Sequence, residues 1–510
     1  MYIIILLLSI WQSILFWNKN PGISVILFIL PFIVFLIKYL EQKGKIKNEK
    51  TKLIAIPIVL LSATYFIFNN AFLNDVNKLA IPGLIALMVI NLICDKFTLE
   101  KIISNVLGFI FKPIGYIGLV CKNIVKKIKK DESKVIPKPV NVKRVIKAIL
   151  ISIPLLLLVF ILLITADSDF SDLFENSFEF IFNIIDRIKI SNIVGRIIVT
   201  ALTFFYMAGF VENIVLTNDI ERNKNEIRKK DSLSIKFILT ILNIMYLVFC
   251  IIQVKSLFNI YTMNKNNINY SYYARQGFFQ LMVVSAINLV MILKSKKECY
   301  NQEKYINIID LCMIFLTTII LVSSFIRMLL YEQAYGLTLL RVLVFWAEVT
   351  EGILIVPTLM HVLGKNFNLA KAYFTIIVIM YVILNFTNIN RVIAKRNVNM
   401  YLEKGSVSGS DVYYLTKLGT DAVPEIVRLL ELIDEKEQEY LKNIVRGRAE
   451  YNIPISSPYD YIYLDNKESF VVNELKEIMD NLNNSKILWQ ELNISKNRAK
   501  RILEEKILVR

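Results

Sequence analysis

The feature that most constrains this chain is a series of long apolar runs separated by shorter charged segments. A helix needs about 20 largely apolar residues to cross the hydrocarbon of a bilayer, where an unpaired backbone amide costs several kcal/mol. Runs of about this length recur as far as residue 388. We predict about eleven transmembrane helices, at residues 2–17, 22–40, 53–72, 78–95, 145–166, 194–216, 235–256, 275–293, 307–328, 338–362 and 370–388.

Composition supports this fold class, because 55% hydrophobic residues and a mean hydropathy of +0.51 are too apolar for a soluble protein. The predicted class is an all-α integral membrane protein, a helix bundle followed by a small C-terminal all-helical soluble module. The run from Tyr2 follows no Lys or Arg and has no small-residue cleavage site, so it is predicted to be a span and not a signal peptide. The predicted regions are a four-span region at 1–97, a cytoplasmic amphipathic and basic linker at 98–144, a seven-span core at 145–388 and a soluble helical tail at 389–510.

Alternate loops are basic, and Lys and Arg near span ends resist translocation. Residues 43–52, 122–130 and 222–230 each hold five Lys or Arg, which predicts three cytoplasmic loops. Residues 167–189 hold six carboxylates against two basic side chains, which predicts an outer loop. This pattern places the protein in the cell membrane with a cytoplasmic amino terminus and an extracytoplasmic tail. Basic residues just after the last span favour the opposite side for the tail, and an error of one span would invert the orientation.

The net charge of +17 arises entirely before the tail, since residues 389–510 hold 19 Lys plus Arg and 19 Asp plus Glu. Topology explains this excess, so no nucleic-acid partner is predicted, and the expected partner is the lipid bilayer. The run Lys122–Lys130 is either an anionic-lipid site or a plain topology signal. Residues 487–506 superficially resemble a helix-turn-helix, but simple helical packing explains a net-neutral tail better.

Charged side chains inside spans are the candidate functional residues, because each costs a few kcal/mol at the bilayer centre unless it has a partner or a cavity. Glu348 and Glu351 lie one turn apart in the tenth span, and Arg341 lies two turns before Glu348 on nearly the same face. Glu212 lies in the sixth span. These four residues form the predicted intramembrane polar site. Polar residues proposed to face it are Asn213, Asn243, Gln253, Gln280, Asn288 and Arg327.

This polar site has two interpretations. It is a hydrated cavity that handles protons, cations or a polar substrate, or it is a set of hydrogen bonds and ion pairs that only hold the bundle together. Enzymatic function is disfavoured: the single histidine, His361, is predicted to be structural, and the chain lacks H-E-x-x-H, G-x-S-x-G and phosphate-loop motifs. The five cysteines show no metal-binding spacing, so we predict no catalytic residue, metal or cofactor.

Four local segments carry a family resemblance: YARQGFFQ (Tyr273–Gln280), YGLTLLR (Tyr335–Arg341), NINRVIAKRNVNMYL (Asn388–Leu402) and YYLTKLGTDAVPEIVRLL (Tyr413–Leu430). On these segments the chain resembles polytopic bacterial membrane proteins catalogued as domain of unknown function 4153/4173. The resemblance implies a multi-spanning helical domain with a short helical tail, and no established substrate or activity.

The matching segments suggest that the outer ends of the later spans pack with the tail, with Arg275, Arg341 and Glu348 at the base of that unit. The alternative is that these aromatic and arginine side chains are interfacial anchors. The sequence therefore favours a non-enzymatic component that senses or organises envelope processes, with unknown protein partners. The alternatives are a transporter or channel using Glu348 and Glu351, and an intramembrane enzyme.

Overall fold

The computed structural model describes residues 1–93, 113, 116, 120, 192–216, 232–262, 278–298, 304–404, 414–431, 475–483 and 488–507. These residues form helices joined by short turns, and none of them lies in a strand, so the predicted all-helical class is confirmed for this part of the chain. The predicted fifth span, the run Lys122–Lys130 and most of the 98–144 linker lie outside the described residues, as does Arg275.

The helices are numbered here in chain order. They are α1 (Tyr2–Phe16), α2 (Ile23–Gln42), α3 (Ala55–Ile67), α4 (Ala71–Ile93), α5 (Asn192–Leu216), α6 (Ser232–Thr262), α7 (Phe278–Glu298), α8 (Lys304–Tyr335), α9 (Leu339–Val362), α10 (Leu369–Phe386), α11 (Ile389–Lys404) and α12 (Ile494–Ile507). Short 3-10 turns occur at Glu49–Ile54, Thr420–Ala422 and Trp489–Glu491. Residues 423–431 and 475–483 are also helical.

Seven helical segments among the described residues are long and apolar enough to cross a membrane. They are Ile23–Gln42, Glu49–Ile67, Ala71–Ile93, Ile193–Ile214, Phe279–Lys296, Lys304–Tyr335 and Leu369–Phe386, and each overlaps a predicted span. The first and seventh predicted spans correspond to shorter apolar helices, Tyr2–Phe16 and Lys236–Ile251. The tenth predicted span forms α9, which is not one of the seven and contains three of the four predicted site residues.

Contacts divide the chain into two compact units. One unit comprises Met1–Asn18 and Ser104–Arg222, and the other comprises Lys19–Ile103 and Asn223–Arg510. In the first unit α1 packs against α5, where the Ser9 hydroxyl lies 4.0 Å from the sulfur of Met207 and Thr203 donates to Gln12 at 3.3 Å.

The second unit contains the helices that position the candidate site. Helices α2, α3 and α4 pack in sequence, and α10 packs on α3. Helix α8 contacts α6, α7 and α9, while α9 also contacts α7 and α10. Local sequence fixes where α9 and α10 begin, because the Thr338 and Asn368 side chains accept the backbone N–H groups of Arg341 and Lys371.

A C-terminal cluster lies in the same unit. It is formed by α11, residues 414–431, residues 475–483 and α12. The buried apolar side chains at its centre include Ile393, Val398, Leu415, Ile426, Leu475, Ala499 and Leu503. These residues recur at helical spacing in chain segments that are otherwise polar, which is why these segments bury one face each.

Candidate functional site

Two buried carboxylates lie at the centre of the three-helix contact between α7, α8 and α9. Glu348 and Glu351 of α9 expose only 2% and 8% of their surface, and their three-residue spacing puts them on the same side of the helix. A buried carboxyl group requires a hydrogen-bonding partner to offset the loss of water. Each of these two therefore depends on a polar group from a neighbouring helix.

Two serines supply those partners. Ser324 of α8 is hydrogen-bonded to Oε1 of Glu348, and Ser285 of α7 is hydrogen-bonded to Oε2 of Glu351. One turn further along α7, Asn288 donates from Nδ2 to the hydroxyl of Thr317 on α8 at 3.0 Å. The carboxylates are thus part of a polar group drawn from all three helices.

The hydrogen bonds of Ser285 constrain the state of Glu351. Its hydroxyl lies 2.8 Å from the backbone carbonyl of Met282 and also contacts Glu351, but it carries one proton. The carbonyl can only accept. A protonated Glu351 satisfies both contacts, because it can donate to the serine oxygen while the serine donates to the carbonyl. This arrangement suits a neutral carboxylic acid at Glu351.

Two ion pairs lie toward the ends of α8, away from Glu348 and Glu351. Asp310 is fully buried, its carboxylate lies 3.3 Å from Nζ of Lys296, and it accepts from Ser295 at 3.0 Å. Near the other end of α8, Arg396 of α11 donates from Nε to Glu332 at 2.5 Å. Sequence reasoning missed Asp310 as part of the site because it lies at the edge of an apolar run. Asp310, Thr317 and Ser324 are spaced by seven residues, which puts them on one face of a helix. This spacing is the sequence signal that could have identified Asp310.

Arg341 does not join the two carboxylates, so the polar stripe predicted along α9 is divided. Its guanidinium donates to the backbone carbonyls of Tyr335 and Gly336 at 3.0 and 2.5 Å and lies 4.1 Å from the ring centre of Tyr331. Side chains on a helix lean toward its N-terminus, so the long arginine reaches the preceding turn and the carbonyl end of α8.

Glu212 belongs to the other compact unit. The hydroxyl of Tyr2 in α1 donates to Oε1 of Glu212 in α5 at 2.7 Å. Among the facing residues proposed from the sequence, Asn288 lies in the carboxylate group as expected, and Asn243 donates instead to the carbonyl of Ile309 at 3.1 Å.

Three of the sequence segments that carry the family resemblance meet where α8 ends and α9 begins. Asn397 of α11 binds both backbone groups of Leu337, and the hydroxyl of Tyr414 accepts the backbone N–H of Leu339 at 3.0 Å. Gly336 has φ +73°, and a Cβ there would lie 2.6 Å from the Asn397 side chain. A glycine is required by both the backbone conformation and the close approach. The predicted packing of the tail against this end of the later spans is therefore observed for these residues.

The same cluster also binds the ends of α2 and α3. Nδ2 of Asn493 donates to the carbonyls of Tyr65 and Phe68 at 2.8 Å each, while its Oδ1 accepts the backbone N–H of Lys496 and so caps α12. The Asn493 side chain thus binds the C-terminal end of α3 and caps the N-terminus of α12.

Two further contacts reinforce this docking. Asp421 accepts the backbone N–H of Asn69 at 2.9 Å, between α3 and α4. At the start of α2, Ile23 donates its N–H to the carbonyl of Leu492 at 3.1 Å. A Cβ on Gly22 would lie within 3 Å of the backbone of Glu491, so the close approach requires glycine there.

One described cavity in this unit lies between α6 and α8 and has a volume of about 480 Å³. Its lining is almost entirely apolar and includes Leu247, Phe315 and the exposed Cys312. Neither Glu348 nor Glu351 lines it. Among the described residues there is also no group of three or more His, Cys, Asp or Glu side chains that could hold a metal ion.

Comparison with known proteins gives one match. The model of a family described as "Domain of unknown function (DUF4153)" matches residues 55–429, which contain three of the four resemblance segments in full and all but the last residue of the fourth. No curated protein and no solved structure matches the chain. The resemblance predicted from the sequence is confirmed.

Proposed function

The chain belongs to the DUF4153 family, and on that premise we propose that it is a multi-pass protein of the bacterial cell membrane that senses or organises envelope processes without catalysing a reaction. In this proposal about eleven helices cross the membrane. The amino terminus lies in the cytoplasm, and the C-terminal cluster lies on the extracytoplasmic face, where it meets other envelope components.

The observation that carries this proposal is the docking of the C-terminal cluster onto several turns between the apolar helices. Asn493 binds the end of α3, Leu492 binds the start of α2, and Asn397 binds the turn between α8 and α9. A cluster held at these separate points cannot move without moving the helices that end there. This is the connection that a protein would need to pass a signal from the envelope into the membrane.

Charge supports the proposed orientation. The turns that the cluster binds, at residues 68–70 and 335–338, contain no Lys or Arg. The opposite end of α2 leads into residues 43–52, which contain five lysines. Because basic loops stay in the cytoplasm, the cluster is expected on the other side.

The cluster also presents an exposed apolar patch. Leu488, Trp489 and Ile494 are 44–48% exposed and lie next to the contacts that bind α2 and α3. Adjacent exposed apolar side chains of this size mark a contact surface more often than isolated ones do. We assign this patch to the binding of an envelope protein.

An open transport channel has less support. The apolar cavity between α6 and α8 does not reach Glu348 or Glu351, and each carboxyl group is hydrogen-bonded to a serine of a neighbouring helix. A hydrated pathway for a bulky polar substrate would require space around these groups.

Orientation is tested with single cysteines, in a variant whose five native cysteines are replaced. One cysteine lies on the side where α2 starts and α3 ends, and the other lies where α2 ends and α3 starts. Asn497→Cys in α12 and Glu49→Cys in the turn before α3 both replace exposed residues. We expect a membrane-impermeant maleimide to label Asn497→Cys in intact cells and Glu49→Cys only after permeabilisation. The reverse pattern would overturn the proposed orientation.

The contact role is tested by photo-cross-linking from position 497 in living cells. We expect specific adducts to disappear on Trp489→Ala and to persist on Leu363→Ala, a matched control because Leu363 is 64% exposed at the far end of α9. Adducts that are equal in both variants, or absent from the unmodified protein, would refute a partner-binding patch.

A further inference from the structure

A row of buried polar side chains runs along α8 through the contact with α7 and α9. Asp310, Thr317 and Ser324 are spaced by seven residues and face the same side, and Glu332 lies two turns further on. At about 1.5 Å of rise per residue, the 22 positions from Asp310 to Glu332 cover roughly 33 Å, close to the thickness of a bilayer's hydrocarbon.

Each member of the row has a polar neighbour at the same level of the bundle. Asp310 pairs with Ser295 and Lys296, Thr317 with Asn288, and Ser324 with Glu348. The pair Ser285 and Glu351 lies between the levels of Thr317 and Ser324, and Glu332 pairs with Arg396. The order of these pairs along all three helices is the same, so they form one continuous series and not scattered contacts.

The row is closed to lipid and to solvent. Asp310, Asn288, Thr317, Ser324 and Glu348 are each at most 2% exposed. Helix association alone can be achieved with one or two interhelical hydrogen bonds, and every additional buried ionisable group carries an insertion cost. Four carboxyl groups in one row, those of Asp310, Glu351, Glu348 and Glu332, therefore call for a function beyond holding the helices together.

Two buried oxygen atoms in the centre of the row can each accept a further hydrogen bond. In the part of the chain that the structure describes, Oε2 of Glu348 and Oδ1 of Asn288 have no hydrogen-bond partner. Glu351 lies one turn from Glu348 on the same side of α9, and the contacts of Ser285 suit a proton on it. Two buried carboxyl groups that can exchange a proton thus lie one turn apart inside the bundle.

We propose that this row, from Asp310 through Glu351 and Glu348 to Glu332, carries protons across the membrane. In the central step the O–H bond of Glu351 breaks and an O–H bond forms on the Glu348 carboxylate, so the negative charge moves to Glu351. Glu351 then regains a proton from the Asp310 side, while Glu348 releases its proton toward Glu332. One proton enters and one leaves in each cycle, driven by the proton gradient.

The intervals from Asp310 to Thr317 and from Ser324 to Glu332 are about 10 and 12 Å, so proton transfer across them requires transient chains of water. Protons need no permanent cavity, because they pass along hydrogen bonds. This activity goes beyond the proposed envelope role and does not depend on it.

The contacts favour protons over metal cations. A dehydrated cation needs several oxygens around one point, whereas the oxygens here are paired across helix interfaces. Lys296 and Arg327 lie along the row and Arg396 at one end of it, and their positive charges would oppose the passage of a metal cation.

The test uses the purified full-length protein in liposomes that contain a pH-sensitive dye, with a potassium diffusion potential as driving force. We expect proton uptake above that of empty liposomes, which falls to the empty-liposome rate in Glu351→Gln and Glu348→Gln. Glutamine keeps the size and a hydrogen bond to serine, so folding should be preserved. The control is Glu477→Gln, which makes the same chemical change at an exposed residue of the C-terminal cluster and should leave the rate unchanged.

Infrared spectroscopy gives a readout independent of flux. We expect a carbonyl-stretch band of a buried protonated carboxylic acid at neutral pH, lost in Glu351→Gln and retained in Glu477→Gln. Proton uptake equal to that of empty liposomes, uptake unaffected by Glu351→Gln, or uptake that requires sodium or potassium as the transported ion would each overturn the proposal. A missing infrared band in the unmodified protein would equally refute a proton on Glu351.

Discussion

Asn397 binds Leu337 through both backbone groups of that residue: its Nδ2 donates to the Leu337 carbonyl at 2.9 Å, and its Oδ1 accepts the Leu337 N–H at 2.7 Å. The Asn397 amide thus supplies the two hydrogen bonds that a neighbouring strand or helical turn would otherwise give the Leu337 backbone between α8 and α9. The turn that starts the carboxylate-bearing helix is therefore fixed by a residue sixty positions further along the chain.

We expect Asn397→Ala to destabilise the protein by about 2 kcal/mol, since two hydrogen bonds are lost at about 1 kcal/mol each. Asn397→Asp keeps the acceptor but puts a buried carboxylate oxygen against the Leu337 carbonyl in place of the donor, so it should cost at least as much. Thermal unfolding in detergent measures both. Equal stability of the unmodified protein and Asn397→Ala would show that the turn is held by other contacts.

A second prediction concerns the pair Arg396 and Glu332. The arginine side chain is 38% exposed and the glutamate 11%, and hydrogen bonding to Glu332 raises the pKa of Arg396 above its usual range. Because this ion pair is partly exposed, we expect its coupling free energy to lie between those of surface and buried ion pairs, at about 1 to 2 kcal/mol. A double-mutant cycle with Arg396→Gln and Glu332→Gln measures it, and strictly additive effects would contradict a direct interaction.

The third prediction concerns the docking of α12. Asn493→Ala removes both bonds to the end of α3 and the cap of α12, and should make α12 sensitive to protease. Asn493→Asp keeps the cap, which is worth about 1 kcal/mol, but loses the two donors. Its buried carboxylate would face the Tyr65 and Phe68 carbonyls in place of a donor, so we expect cleavage at least as fast as in the alanine variant. A rate for Asn493→Asp equal to that of the unmodified protein would show that the bonds to α3 contribute nothing.

The fourth prediction is a pH dependence at Asp421. Burial raises the pKa of this carboxyl group above its usual range, although the hydrogen bonds from Ser495 and from the Asn69 backbone act in the opposite direction. The folded protein therefore binds the proton more tightly than the unfolded chain, and this contribution to stability is lost as pH rises from the unfolded pKa of about 4 toward the higher folded value.

Asp421→Asn keeps a carbonyl oxygen that can accept the N–H of Asn69 and removes the titration. We expect this variant to lose less stability than the unmodified protein between about pH 4 and pH 7. The measurement is the difference between the two melting-temperature curves across that range. Parallel curves would show that Asp421 does not titrate differently on unfolding.

The positions of most helices could be predicted from the sequence because the apolar runs are long and uninterrupted. The run at 370–388 forms α10 at Leu369–Phe386, and the run at 22–40 forms α2 at Ile23–Gln42. The prediction was less accurate for α8, which extends beyond the apolar run at both ends to Lys304–Tyr335. Its additional turns carry charged residues such as Glu332, whose partner Arg396 is supplied by α11.

The site was predicted only in part. Glu348 and Glu351 stand out because carboxylates are costly in an apolar run, whereas Ser285 and Ser324 do not, because serine is common in membrane helices and forms bonds within its own helix. Helical spacing alone also grouped Arg341 with Glu348. It could not show that a long side chain would turn to the preceding carbonyls.

The bond from Asn493 to Phe68 joins residues 425 positions apart, and this separation sets an order of assembly. At ribosomal rates of about 5 to 20 residues per second, α3 emerges roughly 20 to 90 s before its partner is synthesised. During that interval the carbonyls at the end of α3 must be satisfied by water, lipid headgroups or an insertion factor. The amino-terminal helices thus complete their packing only after synthesis has reached α12, so a stalled or shortened chain would leave these helices exposed to quality-control proteases.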